Sequence, residues 1–181
     1  FSACGGGGGG GGSSQQPPLD KELTSYTVEN QAVAAKFLNR TTFGPTEKSI
    51  NHLVNKETYI SWLDEQFNTP ATMHAPLVEA LGRKMCVNLD KNIEDGKFRD
   101  SWEYEYARHQ IFWETALHGD DQLRQRVAFA LSQILVISDS KGLGLSNFQY
   151  AVASYYDVLV KHAFGNYRDL LKDVTLHPAM G

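Results

Sequence analysis

Four side chains near the end of the printed sequence are of types that transfer protons, and they are the catalytic candidates: His162, Asp169, Asp173 and His177. Asp169 and Asp173 stand four positions apart, so on a helix both carboxylates lie on one face. A histidine that acts as a general acid or base needs an orienting carboxylate and a reacting partner. The segment therefore offers the side chains of acid–base catalysis, without a motif that defines a reaction.

The two aspartates have three interpretations that the sequence leaves open: a shared cation, pairing with arginines, or exposure to solvent. Pairing with Arg40, Arg124 or Arg126 is favoured, because a hard cation requires more oxygen ligands than this segment has. We predict no metal site and no cofactor. His177 also has a structural alternative, since a cationic side chain suits the last turn of a helix.

The candidate binding residues are four arginines and an asparagine: Arg40, Arg124, Arg126, Asn166 and Arg168. Arg124 and Arg126 begin the most apolar stretch of the chain, and an arginine near a core needs a carboxylate or a bound anion. The structural alternative pairs them with aspartates of later helices, namely Asp157, Asp169 or Asp173. Motifs of nucleophile-elbow hydrolases, zinc proteases and paired-cysteine metal sites do not occur in the sequence.

Apolar residues at helical spacing predict helices through nearly the whole chain after residues 17–18. We expect an all-α, orthogonally packed multi-helix domain, because no heptad pattern persists over many turns. Thr46 and Asn166 are predicted to begin helices as N-caps. Ser146 and Gln149 have the spacing of a capping box for another helix.

The run from Val127 to Ile137 is almost entirely apolar and predicts a buried central helix. An alternative places a strand at residues 134–138, followed by a phosphate-binding loop at Gly142 and Gly144. That alternative is disfavoured because the glycine pair lacks the third glycine of a nucleotide-binding loop.

An aromatic stripe predicts which face of another long helix is buried. Its members recur every three or four positions, as expected for one helix face: Trp102, Tyr106, His109, Trp113 and Ala116. Tyr104 and Phe112 fall off this stripe. Exposed rings at these two positions would favour a groove that binds a glycan.

The amino-terminal segment predicts where the protein is located in the cell. Cys4 follows the small residues Ser2 and Ala3 and precedes the glycine run 5–12, a pattern typical of lipoprotein processing. We expect residues 1–3 to be removed and Cys4 to be acylated, so that residues 1–27 contain the anchor and a flexible Gly/Ser/Gln/Pro tether. The alternative is an incidental cysteine in a disordered tail. Residues 28–181 then form the helical domain.

Composition narrows the classes of partner. The formal net charge is −4 at pH 7, and basic residues are interspersed with acidic ones, so a nucleic-acid partner is not predicted. The sequence contains no run of 18 apolar residues, so no transmembrane helix is predicted. Cys86 is expected to pack in the core as a small hydrophobic residue.

Three sequence blocks carry a family resemblance. They are residues 37–45 (FLNRTTFGP), residues 121–138 (DQLRQRVAFALSQILVIS) and residues 155–181 (YYDVLVKHAFGNYRDLLKDVTLHPAMG). Together they closely resemble the N-terminal part of domain-of-unknown-function family 1800, across about residues 30–181. The family has no established reaction, so the resemblance transfers no catalytic residue.

The resemblance implies a bacterial envelope or secreted protein of several hundred residues, of which this chain would be the first part. It also implies a possible partner, because genes of the family often lie beside those of family 1501, which resembles alkaline phosphatases and sulfatases. We therefore expect a lipid-anchored envelope protein, facing the periplasm or the exterior, whose helical domain serves assembly or binding. The alternative is a secreted hydrolase of envelope or extracellular polymers, with its site completed by a further C-terminal part.

Overall fold

Helices form the described part of the chain, which in this computed structural model comprises residues 27–88, 102–139, 145 and 148–180. In order, they are α1 (Gln31–Thr41), α2 (Glu47–Asn55), α3 (Tyr59–Asn68), α4 (His74–Asn88), α5 (Trp102–His118), α6 (Gln122–Ser132), α7 (Gln149–Lys161) and α8 (Tyr167–Thr175). These ranges contain no strand, only an isolated bridge between Thr27 and Thr58. The prediction of an all-α fold is confirmed. Cys4 and the tether up to residue 26 lie outside the described residues.

Local side-chain caps explain where several helices begin. The Thr46 hydroxyl accepts from the Ser49 backbone N–H at 3.1 Å, and the Ser49 hydroxyl accepts in turn from the Thr46 N–H at 2.8 Å. The Asn166 side chain accepts from the Arg168 N–H at 2.8 Å and starts α8. Such caps satisfy backbone donors that have no partner within the helix. Both predicted N-caps are therefore confirmed.

Three groups of buried side chains hold the helices together. The first joins α1, α2 and α3 through Ala34, Leu38, Leu53 and Trp62. The second joins α4, α5 and α7 through Ala75, Val78, Cys86, Tyr104, Ala107, Ile111 and Ala153. The third joins α6, α7, α8 and the residues after α8 through Ala128, Tyr155, Leu159, Val160, Leu170, Val174 and Ala179. Cys86 is fully buried, as expected from its apolar surroundings. No described helix is both long and apolar enough to cross a bilayer.

The buried face of α5 is not the predicted stripe. Tyr106 and Trp113 are 56% and 60% exposed, whereas Tyr104 is fully buried. Tyr104 is therefore not an exposed ring that could line a glycan groove, and Phe112 is half-buried. The physical reason lies on α4, where Gly82 lets the Tyr104 ring approach the helix backbone closely. Aromatic residues occur on both faces of α5, so spacing alone does not determine which face packs.

Helix α6 ends earlier than its apolar run predicts. Its last residue is Ser132, and beyond it Ile134 and Val136 are 70% and 62% exposed. The Tyr155 hydroxyl donates to the carbonyl of Leu135 at 2.8 Å, which holds the segment after the helix against α7. The prediction of a buried helix through residue 137 is thus wrong for its last part. Residues 134–138 also form no strand.

The start of α7 differs from the predicted capping box. The N-cap is Phe148, which makes no side-chain cap, and Ser146 lies outside the described residues. Gln149 is 2% exposed, and its side-chain oxygen accepts from Arg108 Nε at 2.6 Å. A long-range contact thus uses the side chain that the pattern assigned to a local cap.

The close approach at Gly82 leads to a testable result. A Cβ at position 82 would lie 2.7–2.8 Å from atoms of the Tyr104 ring, and this buried ring has no room to move. We expect Gly82→Ala to lower the free energy of unfolding by about 1–3 kcal/mol, the usual cost of overpacking. Thermal and urea unfolding measure the change.

Helix propensity alone predicts the opposite sign, a gain of about 1 kcal/mol on replacing a helical glycine by alanine. A more stable Gly82→Ala variant would therefore contradict the packing argument. The double variant Gly82→Ala/Tyr104→Leu tests the contact itself, since the alanine should cost less where the ring is absent.

Candidate functional site

His162 and Asp173 form a pair at the junction of α7 and α8. His162 Nε2 lies 2.7 Å from Asp173 Oδ2, and Lys161 Nζ donates to the same oxygen at 3.1 Å. The hydrogen bond from His162, with that from Lys161, lowers the pKa of the Asp173 carboxyl. The expected arginine partner of Asp173 is therefore wrong. Lys161 and His162 are adjacent in the chain at the end of α7, which explains why they supply the positive charge instead.

Asp169 does not join this pair. It lies exposed in the first turn of α8, where a negative charge suits the helix N-terminus. Within the described residues no hydrogen bond or ion pair links it to an arginine, so the expected pairing is wrong here as well. Arg168 is exposed beside it and Asn166 is occupied as the helix cap.

His177 contacts a serine, but with the wrong polarity for nucleophilic catalysis. Its Nδ1 accepts from the Ala179 backbone N–H at 3.1 Å, so in the neutral ring Nε2 carries the proton. That nitrogen lies 3.2 Å from Ser154 Oγ, and the serine hydroxyl donates to the Ala151 carbonyl at 2.9 Å. A catalytic base must instead accept the serine proton. Burial also lowers the pKa of His177, which keeps the ring neutral.

Arg124 and Arg126 pack on aromatic rings rather than on carboxylates. The Arg124 guanidinium lies 4.5 Å from the centre of the Phe164 ring. It also approaches the carbonyls of Val160 at 3.5 Å and Phe67 at 3.4 Å. Arg126 lies 5.5 Å from the Phe43 ring. The expected pairing with aspartates is wrong among the described residues, because ring faces and carbonyls from neighbouring elements receive the guanidinium groups.

Arg126 and Arg40 both line a shallow groove, which we call the α6 groove. Its volume is about 610 Å³. Apolar residues of α6 and the turn after it form most of its surface: Leu123, Val127, Phe129, Ala130, Leu131 and Ile134. No carboxylate within the described residues forms a salt bridge with Arg40 or Arg126. The groove is thus a partly exposed, largely apolar surface with two positive charges that lack an ionic partner in the described structure.

A buried polar network, absent from the sequence-based candidates, lies where α4, α6 and α7 meet. Asp121 is fully buried. Its oxygens accept from the Thr72 backbone N–H at 2.8 Å and from the Thr72 hydroxyl at 2.9 Å. Gln125 Nε2 donates to Asp121 Oδ2 at 3.0 Å and to the Thr72 carbonyl at 2.8 Å. Asp121 directly precedes α6, but its side chain binds the segment before α4 instead of capping its own helix.

Asp157 completes the network from α7. Its carboxylate accepts from the backbone N–H groups of His74 at 2.6 Å and Ala75 at 2.9 Å. These donors lie at the first turn of α4, where the positive end of the helix dipole favours a carboxylate. Burial raises the pKa of Asp157, opposed by these hydrogen bonds. The residue therefore fastens α7 to the start of α4 and is unavailable to Arg124 or Arg126.

A cavity of about 270 Å³ adjoins this network. His74, Phe112, Tyr156 and the aliphatic side chains Leu135, Val136, Ile137, Val152 and Leu159 line it, together with Arg108 and Asp139. Arg108 forms a salt bridge with Asp139 through Nη2. The walls of the cavity therefore combine apolar side chains with a histidine, a guanidinium and a carboxylate.

Only part of this site had a signal in the sequence. Asp121 and Gln125 stand four positions apart at the start of α6, so a polar partner facing that side of the helix was foreseeable. His74 and Arg108 carry no such signal, because their contacts lie dozens of residues away in the chain. Within the described ranges, no group of three His, Cys, Asp or Glu side chains is placed to hold a metal ion.

Comparison with known proteins gives one match. The sequence profile of the family described as "Protein of unknown function (DUF1800)" matches residues 36–181. No curated protein matches the sequence, and no solved structure matches the chain.

Proposed function

Because the chain belongs to the DUF1800 family of proteins of unknown function over residues 36–181, we propose that it is an envelope lipoprotein whose helical domain binds a partner protein. The observation that carries the binding function is the α6 groove. Its occupant is an amphipathic, acidic segment of another envelope protein. A protein of family 1501 is the partner that the family resemblance suggests.

Exposed apolar surface supports a protein partner. Ile134 in the groove is 70% exposed, and the groove continues along α6 through aliphatic side chains. Contiguous apolar surface on a folded protein commonly marks an interaction site. Apolar residues of the partner would cover this strip and remove it from water.

Charge supports an acidic partner. Arg40 is exposed, and the half-buried Arg126 stacks near Phe43 and Phe129. Neither guanidinium forms a salt bridge within the described residues, so both are available to carboxylates. Arginines beside aromatic rings are frequent centres of binding energy in interfaces, and complementary charge also accelerates encounter.

The alternative function, hydrolysis of an envelope or extracellular polymer, has less support. His162 and Asp173 are bound to each other and to Lys161. His177 carries its neutral-state proton toward Ser154 rather than accepting one. His162 and Asp173 thus form one pair, and His177 forms another with Ser154. Their hydrogen bonds already join parts of the fold, Asp169 belongs to neither pair, and neither pair joins a nucleophile to its base.

Charge reversal in the groove tests the binding function. We expect Arg40→Glu/Arg126→Glu to reduce recovery of the partner from detergent-solubilised native envelope at least tenfold. The matched control is Lys48→Glu/Lys172→Glu, which reverses two exposed charges outside the groove. Quantitative mass spectrometry of the co-purified proteins measures recovery. Equal recovery with both double variants would exclude the groove, and no specific partner in any sample would overturn the binding function.

Photo-crosslinking identifies the occupant directly. A photoreactive amino acid at Ile134 should capture an acidic segment of the partner, whereas the same group at Leu176 should not. The two positions are matched, since Ile134 is 70% and Leu176 72% exposed. Capture of this chain itself at Ile134 would show self-association or intramolecular cover and would contradict the proposed partner.

A further inference from the structure

The cavity beside His74 has the composition of a small-molecule site. Its volume of about 270 Å³ lies near the lower end of the range of volumes that ligand pockets have. Such pockets are lined mainly by apolar side chains, with a few fixed polar groups. Here the apolar walls come from α5, α7 and the segment after α6. The charged and titratable side chains in the lining include His74, Arg108 and Asp139, which is the salt-bridge partner of Arg108.

The hydrogen bonds of Gln125 determine the tautomer of His74. Gln125 Nε2 donates to Asp121 and to the Thr72 carbonyl, so its Oε1 is the acceptor that lies 3.0 Å from His74 Nε2. His74 Nε2 therefore carries a proton. In the neutral ring, Nδ1 then holds a lone pair, and no described group donates to it.

The His74 ring is also held in one orientation. It is 3% exposed, and its centre lies 4.7 Å from that of the Tyr156 ring. Burial lowers the pKa of His74, so the ring stays neutral near pH 7. Because His74 lines the cavity, a ligand donor there can bind the lone pair of Nδ1.

Arg108 provides the second polar group. Its Nε donates to Gln149 Oε1 at 2.6 Å. Its Nη2 contacts Asp139 and lies 3.0 Å from His109 Nε2. These contacts hold the guanidinium in place while Nη1 has no acceptor among the described residues. An oriented guanidinium with a remaining donor suits a carboxylate.

We propose that this cavity binds a small, mostly apolar organic acid, which donates a hydrogen bond to His74 Nδ1 and places its carboxylate at Arg108. The apolar body of the molecule contacts Phe112, Val152 and Leu159. A single aromatic ring with these two groups matches the size and chemistry of the cavity. None of the residues assigned to the ligand lines the α6 groove, and this site does not depend on the proposed partner.

The three hydroxybenzoate isomers are suitable probes, because they vary the separation between a hydroxyl donor and a carboxylate. We expect at least one isomer to bind the purified chain and to shift the His74 imidazole ¹⁵N resonance of Nδ1. Benzoate lacks the donor and 4-methylphenol lacks the carboxylate, so each should bind at least fivefold more weakly. Failure of all three isomers at 10 mM to perturb His74 would overturn the proposal.

Two variants separate this cavity from nonspecific binding. Val152→Phe fills the cavity without removing a hydrogen-bonding group, and it should weaken the best probe at least tenfold. Arg108→Gln should weaken hydroxybenzoate while leaving 4-methylphenol nearly unchanged. Unaltered hydroxybenzoate binding in a folded Val152→Phe variant would place the probe elsewhere. If that variant does not fold, the His74 resonance of the wild-type chain still decides the outcome.

Discussion

Asp157→Ala is expected to lower the free energy of unfolding by about 3 kcal/mol, since hydrogen bonds to a charged group contribute roughly 1.5–3 kcal/mol each. The carboxylate accepts from the first-turn N–H groups of His74 and Ala75, and the side chain that replaces it accepts from neither. Both buried donors would then lack a partner, and α7 would lose its link to the start of α4. For a chain of this size the change corresponds to a melting temperature about 6–12 °C lower.

Two further variants test the cause of this loss. Asp157→Asn keeps one side-chain oxygen as an acceptor, so it should lower the free energy of unfolding by less than Asp157→Ala does. Asp169→Ala removes an exposed aspartate of α8 and should leave the melting temperature nearly unchanged. Equal melting temperatures for Asp157→Ala and wild type would show that the Asp157 contacts contribute no stability.

The pKa of Asp157 adds a pH dependence with a defined sign. Burial raises the pKa of Asp157 in the folded state above the ordinary value of 3.8. At a pH between 3.8 and this raised pKa, the folded state therefore binds more protons than the unfolded state. This carboxyl's contribution to stability therefore decreases as pH rises from about 3.8 to the raised pKa and is constant above it. Denaturant unfolding of wild type and Asp157→Asn at each pH isolates the contribution, because asparagine does not titrate. A difference that grows with pH in this window would contradict the assigned shift.

Cys4→Ser is expected to move the protein from the membrane fraction to the soluble fraction. This prediction follows from the proposed lipoprotein function. One acyl chain gives only marginal membrane binding, whereas a diacylglyceryl group with a further amide-linked chain anchors stably. Serine offers no thioether for that group, so attachment should be lost almost completely. Fractionation of native cells that express the protein from its own gene measures the result.

Cys86→Ser is the matched control for the anchor. Cys86 is fully buried in the core shared by α4, α5 and α7, so its replacement should leave membrane attachment unchanged in the protein that folds. Intact-mass spectrometry of wild type should show the acyl mass on a chain that begins at Cys4. An unacylated wild-type protein, or a Cys4→Ser variant that stays on the membrane, would overturn the lipoprotein function.

Local interactions explain the parts of the fold that the sequence predicted correctly. The caps at Thr46 and Asn166 join groups only two or three residues apart, so their residue types suffice to recognise them. The all-α class follows from helical spacing in the same way. The family assignment rests on local blocks too, and the DUF1800 profile confirms it over residues 36–181.

The faces of the helices required the tertiary structure. Helix α5 has aromatic residues on more than one side, and the side that packs is decided by Gly82 on α4, which admits the Tyr104 ring. The apolar run after Ser132 leaves the helix because Tyr155 of α7, 20 positions further along the chain, binds the Leu135 carbonyl. Neither Gly82 nor Tyr155 can be identified from the sequence pattern of the segment that it contacts.

The same distinction between local and tertiary contacts applies to the candidate site. The sequence by itself determined the helical class, the starts of α2 and α8, the family and the side chains available for chemistry. The tertiary structure alone decided their partners: Asp173 binds neighbouring Lys161 and His162, whereas Asp157 reaches His74 across 83 positions. The reason is physical, since a buried carboxylate must be paired wherever the folded chain brings a donor to it, and spacing along the sequence does not encode that meeting.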